Sequence, residues 1–507
     1  MSPLDASMEH MNRLFYGDNL EVLRSALGTE TVDLVYLDPP FNSNRGYNVI
    51  FARHDTKTNA QIQAFDDTWY WTPVTDSQYR DAISGGLPPA AGEALRAMYT
   101  LLGENDAMAY MVNMAPRLVE LHRVLKADGA LVLHCDPTMS HYLKILLDTI
   151  FGASNFRNEI IWDYTFRTMH LPQRLSSKHD VLFYYAKSAA HLVRTPTLPW
   201  TREDIVATRK QKIHVDEEGR EWVWMPGGRG HSKNKPKFIE DIIREGKAVS
   251  DVWHIPIISS SSKERLGYPT QKPLALLNRV VEMASDPGDI VLDPFCGCGT
   301  TVDAAEKLGR NWVGIDITYI AIDLIEKRLR HTYGGLIQGT YEVLGIPRDF
   351  GAAQALFKRD PFEFERWAVT RLDAQPHERQ QRVGDKGIDG VAKFPLDVSG
   401  KTIGRVLVSV KGGKHVGPTA VRDLVGTLES QKAEMGVLIT LHEPSHGVLD
   451  AVNHGGIYTH PGDGKTFPRV QVITVEELLA GKRPHMPVTI NPYIQAQRQR
   501  PQTGELF

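Results

Sequence analysis

Two short apolar segments, each ending in Asp-Pro, constrain the fold of this chain more than any other feature. The segments VDLVYLDPP (32–40) and IVLDPFCGCGTT (290–301) are rich in aliphatic residues and stop abruptly, as buried parallel strands do. Three more strand-like segments and two with helical periodicity surround them: GALVLHCD (129–136), DVLFYYAK (180–187), NWVGIDI (311–317), LALLNRVVEMAS (274–285) and TVDAAEKLGR (301–310). This alternation predicts an α/β fold in which the carboxyl ends of parallel strands meet at one edge of a sheet.

The positions of Pro and Gly divide the chain, which at 507 residues is too long for one compact core. A Pro- and Gly-punctuated stretch interrupts the alternation and predicts an insert, and HTYGGLIQGTYEVLGIPRDFG (331–351) predicts a linker. We therefore expect a first unit at 12–335 with its insert at 190–265, a linker at 336–360, a smaller α/β unit at 361–482 and a loosely ordered tail at 483–507.

The composition excludes several classes of protein. No apolar run is long enough to cross a bilayer, and the start MSPLDASMEHMNRLFYGDN lacks the apolar stretch of a signal peptide. Three cysteines, two of them in one glycine loop, make no disulfide framework, so we expect a cytoplasmic protein with no membrane partner and no structural zinc. The formal net charge of -3 gives no global basic field, so contact with nucleic acid requires a local patch.

The glycine-rich loop after the strand at 290–293 has the chemistry of a nucleotide site. Asp293 ends the strand, and Gly297 and Gly299 let backbone approach a ligand at the start of a helix. Asp316 ends the next strand, where a carboxylate suits the two hydroxyls of a ribose. A tight turn without a ligand is the alternative, and the paired Asp316 disfavours it.

The loop YLDPPFNSN after the strand at 32–37 predicts a site for a planar ring that carries an exocyclic amine. Proline fixes φ and donates no hydrogen bond, so the carbonyls of Asp38 and Pro39 are free to face outward as acceptors. Two acceptors hold the amine, while the ring stacks on Phe41. A surface Asp-Pro-Pro turn is the alternative, disfavoured by the Phe and Asn that follow.

Taken in order along residues 12–333, these motifs resemble the DNA amino-methyltransferases, in the β arrangement in which DPPF precedes the cofactor loop. YGDN (16–19) resembles the family's early acidic motif, and YPTQKPLALLNRVVEMASDPGDIVLDPFCGCGTT (268–301) resembles the helix and loop around the methionine end of S-adenosylmethionine. Cys298 stands where the family usually has Ser. The resemblance implies a Rossmann-like methyltransferase sheet, S-adenosylmethionine as cofactor and double-stranded DNA as partner.

The resemblance also assigns roles to individual residues. The catalytic residues are Asp38, Pro39, Pro40 and Phe41, and the cofactor-binding residues are Asp18, Thr270, Lys272, Asp293, Phe295, Gly297, Gly299, Thr300 and Asp316. For Lys272, a solvated residue at the start of a helix is the alternative. The target base must leave the duplex to meet the methyl group, and Asp38 then orients its amine. Asp at this position favours adenine N6, whereas the family marks cytosine N4 with Ser-Pro-Pro.

The insert is the predicted target-recognition region. It mixes basic and planar side chains suited to phosphates and bases, namely Trp222, Trp224, Arg229, His231, Lys233, Lys235 and Lys237. The four basic residues Arg229, Lys233, Lys235 and Lys237 are the predicted DNA-binding residues. A solvated charged loop is the alternative for each of them.

The second unit carries an acid and a lysine on adjacent predicted strands. Asp389 precedes one strand and Lys411 ends the next, and Glu365 lies on the preceding helix. These segments resemble the Mrr-like branch of the PD-(D/E)xK nuclease fold, which implies Mg²⁺ bound at Asp389 and phosphodiester hydrolysis. Ser409 departs from the family, which has Glu or Gln there, so metal affinity should fall unless Gln431 compensates.

The predicted function is an S-adenosylmethionine-dependent, adenine-N6-specific DNA methyltransferase fused to a restriction-endonuclease-like unit, in a restriction-modification system. A homodimer is a candidate assembly. Alternatives are a cytosine-N4 methyltransferase and a solitary methyltransferase whose second unit only binds DNA. Methylation of RNA or of protein glutamine, and a DNA-binding module without chemistry, fit the motifs less well.

Overall fold

A computed structural model describes residues 12–40, 46–51, 60–66, 69–164, 175–191, 193–210, 212–225, 234–259, 262–266, 268, 270–376, 387–397 and 402–489, with 46–51 and 60–66 described as backbone. Its strands are β1 (Asn12–Tyr16), β2 (Val32–Leu37), β3 (Gly46–Phe51), β4 (Ala60–Asp66), β5 (Leu125–Cys135), β6 (Phe156–Asp163), β7 (His179–Ala186), β8 (Thr197–Leu198), β9 (His214–Val215), β10 (Glu221–Met225), β11 (Lys235–Phe238), β12 (Lys247–Ala248), β13 (Val252–His254), β14 (Ile290–Asp293), β15 (Asn311–Asp316), β16 (Tyr341–Leu344), β17 (Gln375–Pro376), β18 (Gly390–Pro395), β19 (Ile403–Lys411), β20 (Met435–Thr440), β21 (Ile457–Thr459), β22 (Thr466–Pro468) and β23 (Val470–Thr474).

The helices are α1 (Asn19–Ala26), α2 (Pro73–Asp81), α3 (Pro89–Leu102), α4 (Asp106–Val124), α5 (Ser140–Leu147), α6 (Arg202–Arg209), α7 (Ile239–Glu245), α8 (Leu274–Ala284), α9 (Thr300–Lys307), α10 (Tyr319–Tyr333), α11 (Phe350–Arg359), α12 (Pro361–Thr370), α13 (Thr419–Gln431), α14 (His446–Asn453) and α15 (Val475–Leu479). Within the described ranges, none of these helices is both long enough and apolar enough to span a bilayer.

The first unit is built on a nine-stranded mixed sheet in the order β13-β6-β7-β5-β2-β14-β15-β1-β16. Only β7 runs antiparallel to its neighbours, β5 and β6. β2 and β14, far apart in sequence, are adjacent in the sheet, with Leu34 opposite Val291 and Val35 opposite Leu292. The two Asp-Pro loops therefore leave the sheet at the same edge, as the sequence predicts.

Helices cover both faces of this sheet, which explains why its strands are apolar throughout. Along β2, Leu34 and Tyr36 point into the core that holds α8, α9 and α10. Val35 and Leu37 point into the opposite core, against α3, α4 and α5. Each buried leucine stabilises the fold by roughly 1.5–3 kcal/mol, and the predicted α/β class is confirmed.

The insert folds around a small core of its own. α6 and α7 pack on the three-stranded sheet β11-β10-β9, and their shared core is formed by Ile205, Val223, Ile239 and Ile242. The predicted boundary at 265 is too late, because β13 (Val252–His254) pairs in parallel with β6 as the outermost strand of the central sheet.

The predicted linker at 336–360 is wrong, since this stretch holds two regular elements. β16 adds to the edge of the central sheet beside β1, and α11 follows it. Tyr341 is buried, with its ring centroid 5.6 Å from that of Trp312. The glycines that suggested a linker mark turns, as at Gly334 and Gly345, whose φ values are 86° and 81°.

The second unit is a five-stranded sheet in the order β17-β18-β19-β20-β23, with α13 crossing between the parallel strands β19 and β20. Its first helix, α12, buries Phe364 and Trp367 in the same core as Tyr319 and Ile325 of α10. The two units therefore share a hydrophobic core. Most of the predicted tail, from residue 490 onward, lies outside the described residues.

Candidate active site

A cavity of about 430 Å³ opens at the carboxyl edge of the central sheet, between the loops that follow β2 and β14. Its volume is within the range of small-molecule sites. The predicted site residues that line it are Asp18, Asp38, Pro39, Pro40, Thr270, Lys272, Asp293, Phe295, Gly297, Thr300 and Asp316. Phe41, predicted to stack on the base, lies outside the described residues.

Gly299 serves the turn rather than the cavity wall. It precedes α9 with a φ of 73°, and a Cβ there would stand 2.7 Å from Cγ1 of Ile325. Gly297, with a φ of 49°, does line the cavity, and a Cβ there would lie 3.3 Å from the ring of Tyr268. The positive φ favours glycine at both positions, and a side chain would crowd Ile325 at Gly299 and Tyr268 at Gly297.

The Asp38 carboxylate is oriented by a single strong contact. Lys272 Nζ donates to Asp38 Oδ2 over 2.5 Å, and the two side chains are 11% and 15% exposed. Within the described part of the chain, the other oxygen, Oδ1, is buried and accepts no hydrogen bond. Lys272 is therefore not a solvated helix-start residue, because it fixes Asp38 with one acceptor oxygen left open.

A buried polar network lies beside Asp38, and the sequence reasoning missed it. His134, fully buried on β5, contacts the Tyr36 hydroxyl through Nδ1 at 2.9 Å and Asp180 Oδ2 through Nε2 at 3.1 Å. Its Nδ1 is 3.8 Å from Asp38 Oδ1. Burial alone would raise the pKa of Asp180, but the His134 hydrogen bond and charge lower it below its usual value. A histidine inside the apolar segment GALVLHCD was the available signal.

The Asp316 carboxylate is tied to the glycine loop. Gly297 N–H donates to Oδ2 at 2.9 Å, and the Thr318 N–H and hydroxyl both donate to Oδ1 at 2.8 Å. Burial raises the pKa of Asp316 to about 6 and that of Asp293 to about 7. These acids sit where the sequence predicts a nucleoside.

Arg328, a cationic residue that the sequence did not single out, fixes the glycine loop on the side of α10. Arg328, on α10, is 1% exposed and donates through Nη2 to Asp303 Oδ2 at 2.7 Å and through Nη1 to the Cys298 carbonyl at 2.9 Å. Cys298 is buried, with Sγ 3.6 Å from the Thr300 hydroxyl. A small side chain is accommodated there.

Asp18 both caps α1 and lines the cavity. Its Oδ1 accepts from the backbone N–H groups of Leu20 and Glu21, and its Oδ2 accepts from Arg117 Nη2 at 2.7 Å. The same guanidinium donates to Asn19 Oδ1. The acidic motif is therefore held rigidly before any ligand arrives.

The predicted DNA-contact residues of the insert differ in how available they are. Lys235 is exposed on β11, whereas Lys237 is ion-paired with Glu245. Trp222 stacks on His214 with ring centroids 4.3 Å apart, and Trp224 is 41% exposed. Arg229, His231 and Lys233 lie outside the described residues.

In the second unit the structure brings Asp389 and Lys411 together. Lys411 Nζ is 4.0 Å from Asp389 Oδ2, an oxygen that also accepts from Val410 N–H at 2.7 Å. Ser409 donates its hydroxyl to the Gly387 carbonyl. Glu365 lies half-buried on α12 and Gln431 ends α13. Across the described ranges, no three His, Cys, Asp or Glu side chains cluster as a metal would need, so the predicted Mg²⁺ at Asp389 is not supported.

Two family models match the chain. Residues 32–327 match the model described as DNA methylase, so the chain belongs to that family. Residues 362–480 match the model described as NACHT-associated inactive Restriction Endonuclease 1. The predicted restriction-endonuclease-like character of the second unit is thereby confirmed, whereas the Mrr-like branch is not.

Two relatives named as Type II methyltransferases agree with the first of these matches. The Type II methyltransferase M.HinfI of Haemophilus influenzae is 41% identical over 334 residues, which are 64% of this chain and 69% of that protein. The Type II methyltransferase M.BamHI of Bacillus amyloliquefaciens is 27% identical over 329 residues, 63% of this chain and 57% of that protein. The solved structure of the M1.HpyAVI–SAM complex is 16% identical, with a TM-score of 0.33 over 62% of this chain and 98% of that one.

Proposed function

We propose that this protein transfers a methyl group from S-adenosylmethionine to the exocyclic N6 amine of an adenine swung out of double-stranded DNA. The observation that carries the proposal is the juxtaposition of Asp38 and the Asp293–Thr300 loop on one cavity of about 430 Å³. Membership of the DNA methylase family supports the same reaction.

The residues around the glycine loop fit the cofactor. Asp316 presents a carboxylate to a ribose, and Gly297 leaves room for backbone to approach the ligand. Asp18, Thr270 and Phe295 complete the wall. When bound there, the cofactor supplies a methyl group already activated on a sulfonium, so the protein's task is to position the amine and stabilise its developing charge.

Asp38 performs that task for the target amine. Its buried Oδ1 accepts a hydrogen bond from the amine, while Lys272 holds Oδ2 so that the carboxylate cannot turn away. The negative charge of Asp38 then stabilises the amine as it becomes cationic during transfer. The His134–Asp180 pair behind it contacts the Tyr36 hydroxyl and so helps to position the end of β2.

Asp38 also supports adenine as the target, since an Asp before Pro-Pro resembles the motif of the family members that act on adenine N6. Cytosine N4 is the second candidate, because its amine presents a similar pair of donors to the same acceptors.

The exposed Lys235 and Trp224 support the insert as the surface that contacts DNA.

For the second unit we propose DNA binding or support of the first unit, without cleavage. Asp389 already accepts from Val410 N–H and faces Lys411, and Ser409 supplies no carboxylate. This agrees with the family model of an inactive restriction endonuclease. The protein is then a modification enzyme of restriction-modification type whose second unit does not cut.

Sequencing of modified bases in DNA from cells that express the protein tests the reaction and the target together. We expect N6-methyladenine at one recurrent sequence, and none from the Asp38→Ala variant. N4-methylcytosine at a recurrent sequence would establish the second candidate, and methylation that persists in Asp38→Ala would contradict the assigned site.

A further inference from the structure

The second unit reaches into the methyltransferase cavity. Asp360, Glu363 and Arg366, at the start of α12, line the same cavity as Asp18 and Asp316. Asp360 caps α12, Glu363 lies in its first turn and Arg366 lies one turn further on; this helix opens the restriction-endonuclease-like unit. The cavity wall is therefore built from both units.

Glu363 is bound to the first unit by two contacts, and a third holds it within its own helix. Its Oε2 accepts from the Tyr16 hydroxyl and from the Tyr319 N–H, both at 3.3 Å, and its Oε1 accepts from Arg366 Nη1 at 2.5 Å. The Tyr319 N–H is one of the free donors at the first turn of α10, so an acid from the second unit caps a helix of the first.

Glu363 and Asp316 both accept hydrogen bonds from the backbone at the start of α10. Asp316 accepts from Thr318 N–H and Glu363 accepts from the next N–H along the chain, that of Tyr319. Burial raises the pKa of Asp316, and the negative charge of Glu363 adds to that increase. Two carboxylates therefore converge where the sequence predicts a ribose.

A count of acceptor positions shows what these carboxylates can still bind. An ionised carboxyl offers about four lone-pair positions. Asp316 uses three, for Gly297 N–H and the two Thr318 donors, and Glu363 uses three, for Tyr16, Tyr319 and Arg366. Counting contacts with the described residues, one position stays open on each, which matches two adjacent hydroxyl donors.

We propose that Glu363 is a cofactor-binding residue contributed by the second unit, and that it shares the vicinal diol of the cofactor ribose with Asp316. This inference rests on the proposed function. Each carboxylate accepts one hydroxyl, so full affinity for the cofactor requires both units. The restriction-endonuclease-like unit thus has a role in methyl transfer that does not depend on cleaving DNA.

Calorimetric titration of the full chain with S-adenosylhomocysteine and with its 2′-deoxy and 3′-deoxy analogues tests this. We expect Glu363→Gln to weaken binding of S-adenosylhomocysteine by about 10- to 100-fold, the usual effect of losing a hydrogen bond to a charged group. It should leave the affinity for one of the deoxy analogues unchanged, because that analogue lacks the hydroxyl that Glu363 accepts. Glu443→Gln, the same change at an exposed position of the second unit, is the matched control.

The proposal would be overturned if Glu363→Gln weakened binding of S-adenosylhomocysteine and of both deoxy analogues equally. It would also be overturned if the variant bound all three compounds as tightly as the wild type does. If Glu363→Gln does not fold, Glu363→Asp retains the charge with a shorter reach, and it should show the same selective loss. Absence of binding by the wild-type chain would instead refute the proposed function, so the two failures are distinguishable.

Discussion

Replacing Asp38 with Asn tests how the carboxylate is used. Lys272 Nζ donates to Asp38 Oδ2 at 2.5 Å and would hold the amide oxygen of Asn in that position. The amide NH₂ would then occupy the place of Oδ1, which is buried and has no hydrogen-bond partner in the described part of the chain. A donor would face the donor of the target amine, so the change reverses the contact rather than merely weakening it.

The expected size of the effect follows from this reversal. A hydrogen bond to a charged group contributes about 1.5–3 kcal/mol. Loss of one preorganised group that faces developing charge costs about 10²–10³ in rate. Asp38→Asn should therefore slow single-turnover methyl transfer by about 10²–10³, while cofactor affinity changes by less than about threefold.

Rapid-quench measurement of labelled methyl transfer to a duplex that carries the target sequence gives this rate directly, and calorimetry gives the affinity. Asp450→Asn, an identical change at an exposed position on α14, is the control and should leave both quantities unaltered. A rate for Asp38→Asn within about threefold of wild type would refute the assigned geometry.

Three further predictions concern ionisation and the second unit. Cofactor affinity should fall as the pH drops through about 6. The reason is that Asp316, whose pKa burial raises to about 6, gains a proton and becomes a weaker acceptor. In calorimetry, Asp316→Asn should lose this pH dependence but retain any change near pH 7 that comes from Asp293. Burial raises the pKa of Glu326 to about 7 in the folded chain against 4.5 when free, so the ionised form opposes folding increasingly from pH 4.5 to 7 and fully above it. Glu326→Gln should thus raise the free energy of unfolding at pH 8 by about 1–3 kcal/mol and have no effect below pH 4.5, as denaturant melts at the two pH values will show. Supercoiled plasmid incubated with the protein and Mg²⁺ should stay intact, and nicking that disappears in Lys411→Ala would contradict the non-cleaving assignment.

The edge of the sheet that carries the site could be predicted because its signals are local. Asp38 and Asp293 each follow a short apolar strand, and strands of one parallel sheet present their carboxyl ends together. The adjacency of β2 and β14 then brought the two loops to one cavity.

The supporting residues could not be predicted, because their roles arise from contacts between distant segments. Arg328 reaches the Cys298 carbonyl across 30 residues, and Glu363 reaches Tyr16 across 347. His134 stands out as a polar residue in an apolar strand, but its partners Tyr36 and Asp180 lie on two other strands. β16 could not be predicted because it is four residues long and flanked by glycines, which gives it a weak local strand pattern. Its strand conformation depends instead on pairing with β1.

The most direct test of the central claim is mass spectrometry of nucleosides from DNA incubated with the purified protein and S-adenosylmethionine that carries an isotopically labelled methyl group. If the Asp38 and Gly297 loops form one cavity, the digest should contain labelled N6-methyl-2′-deoxyadenosine. That product should be lost both in Asp38→Ala and in variants that fill the position of Gly297. Label absent from DNA, or retained in either variant, would contradict it.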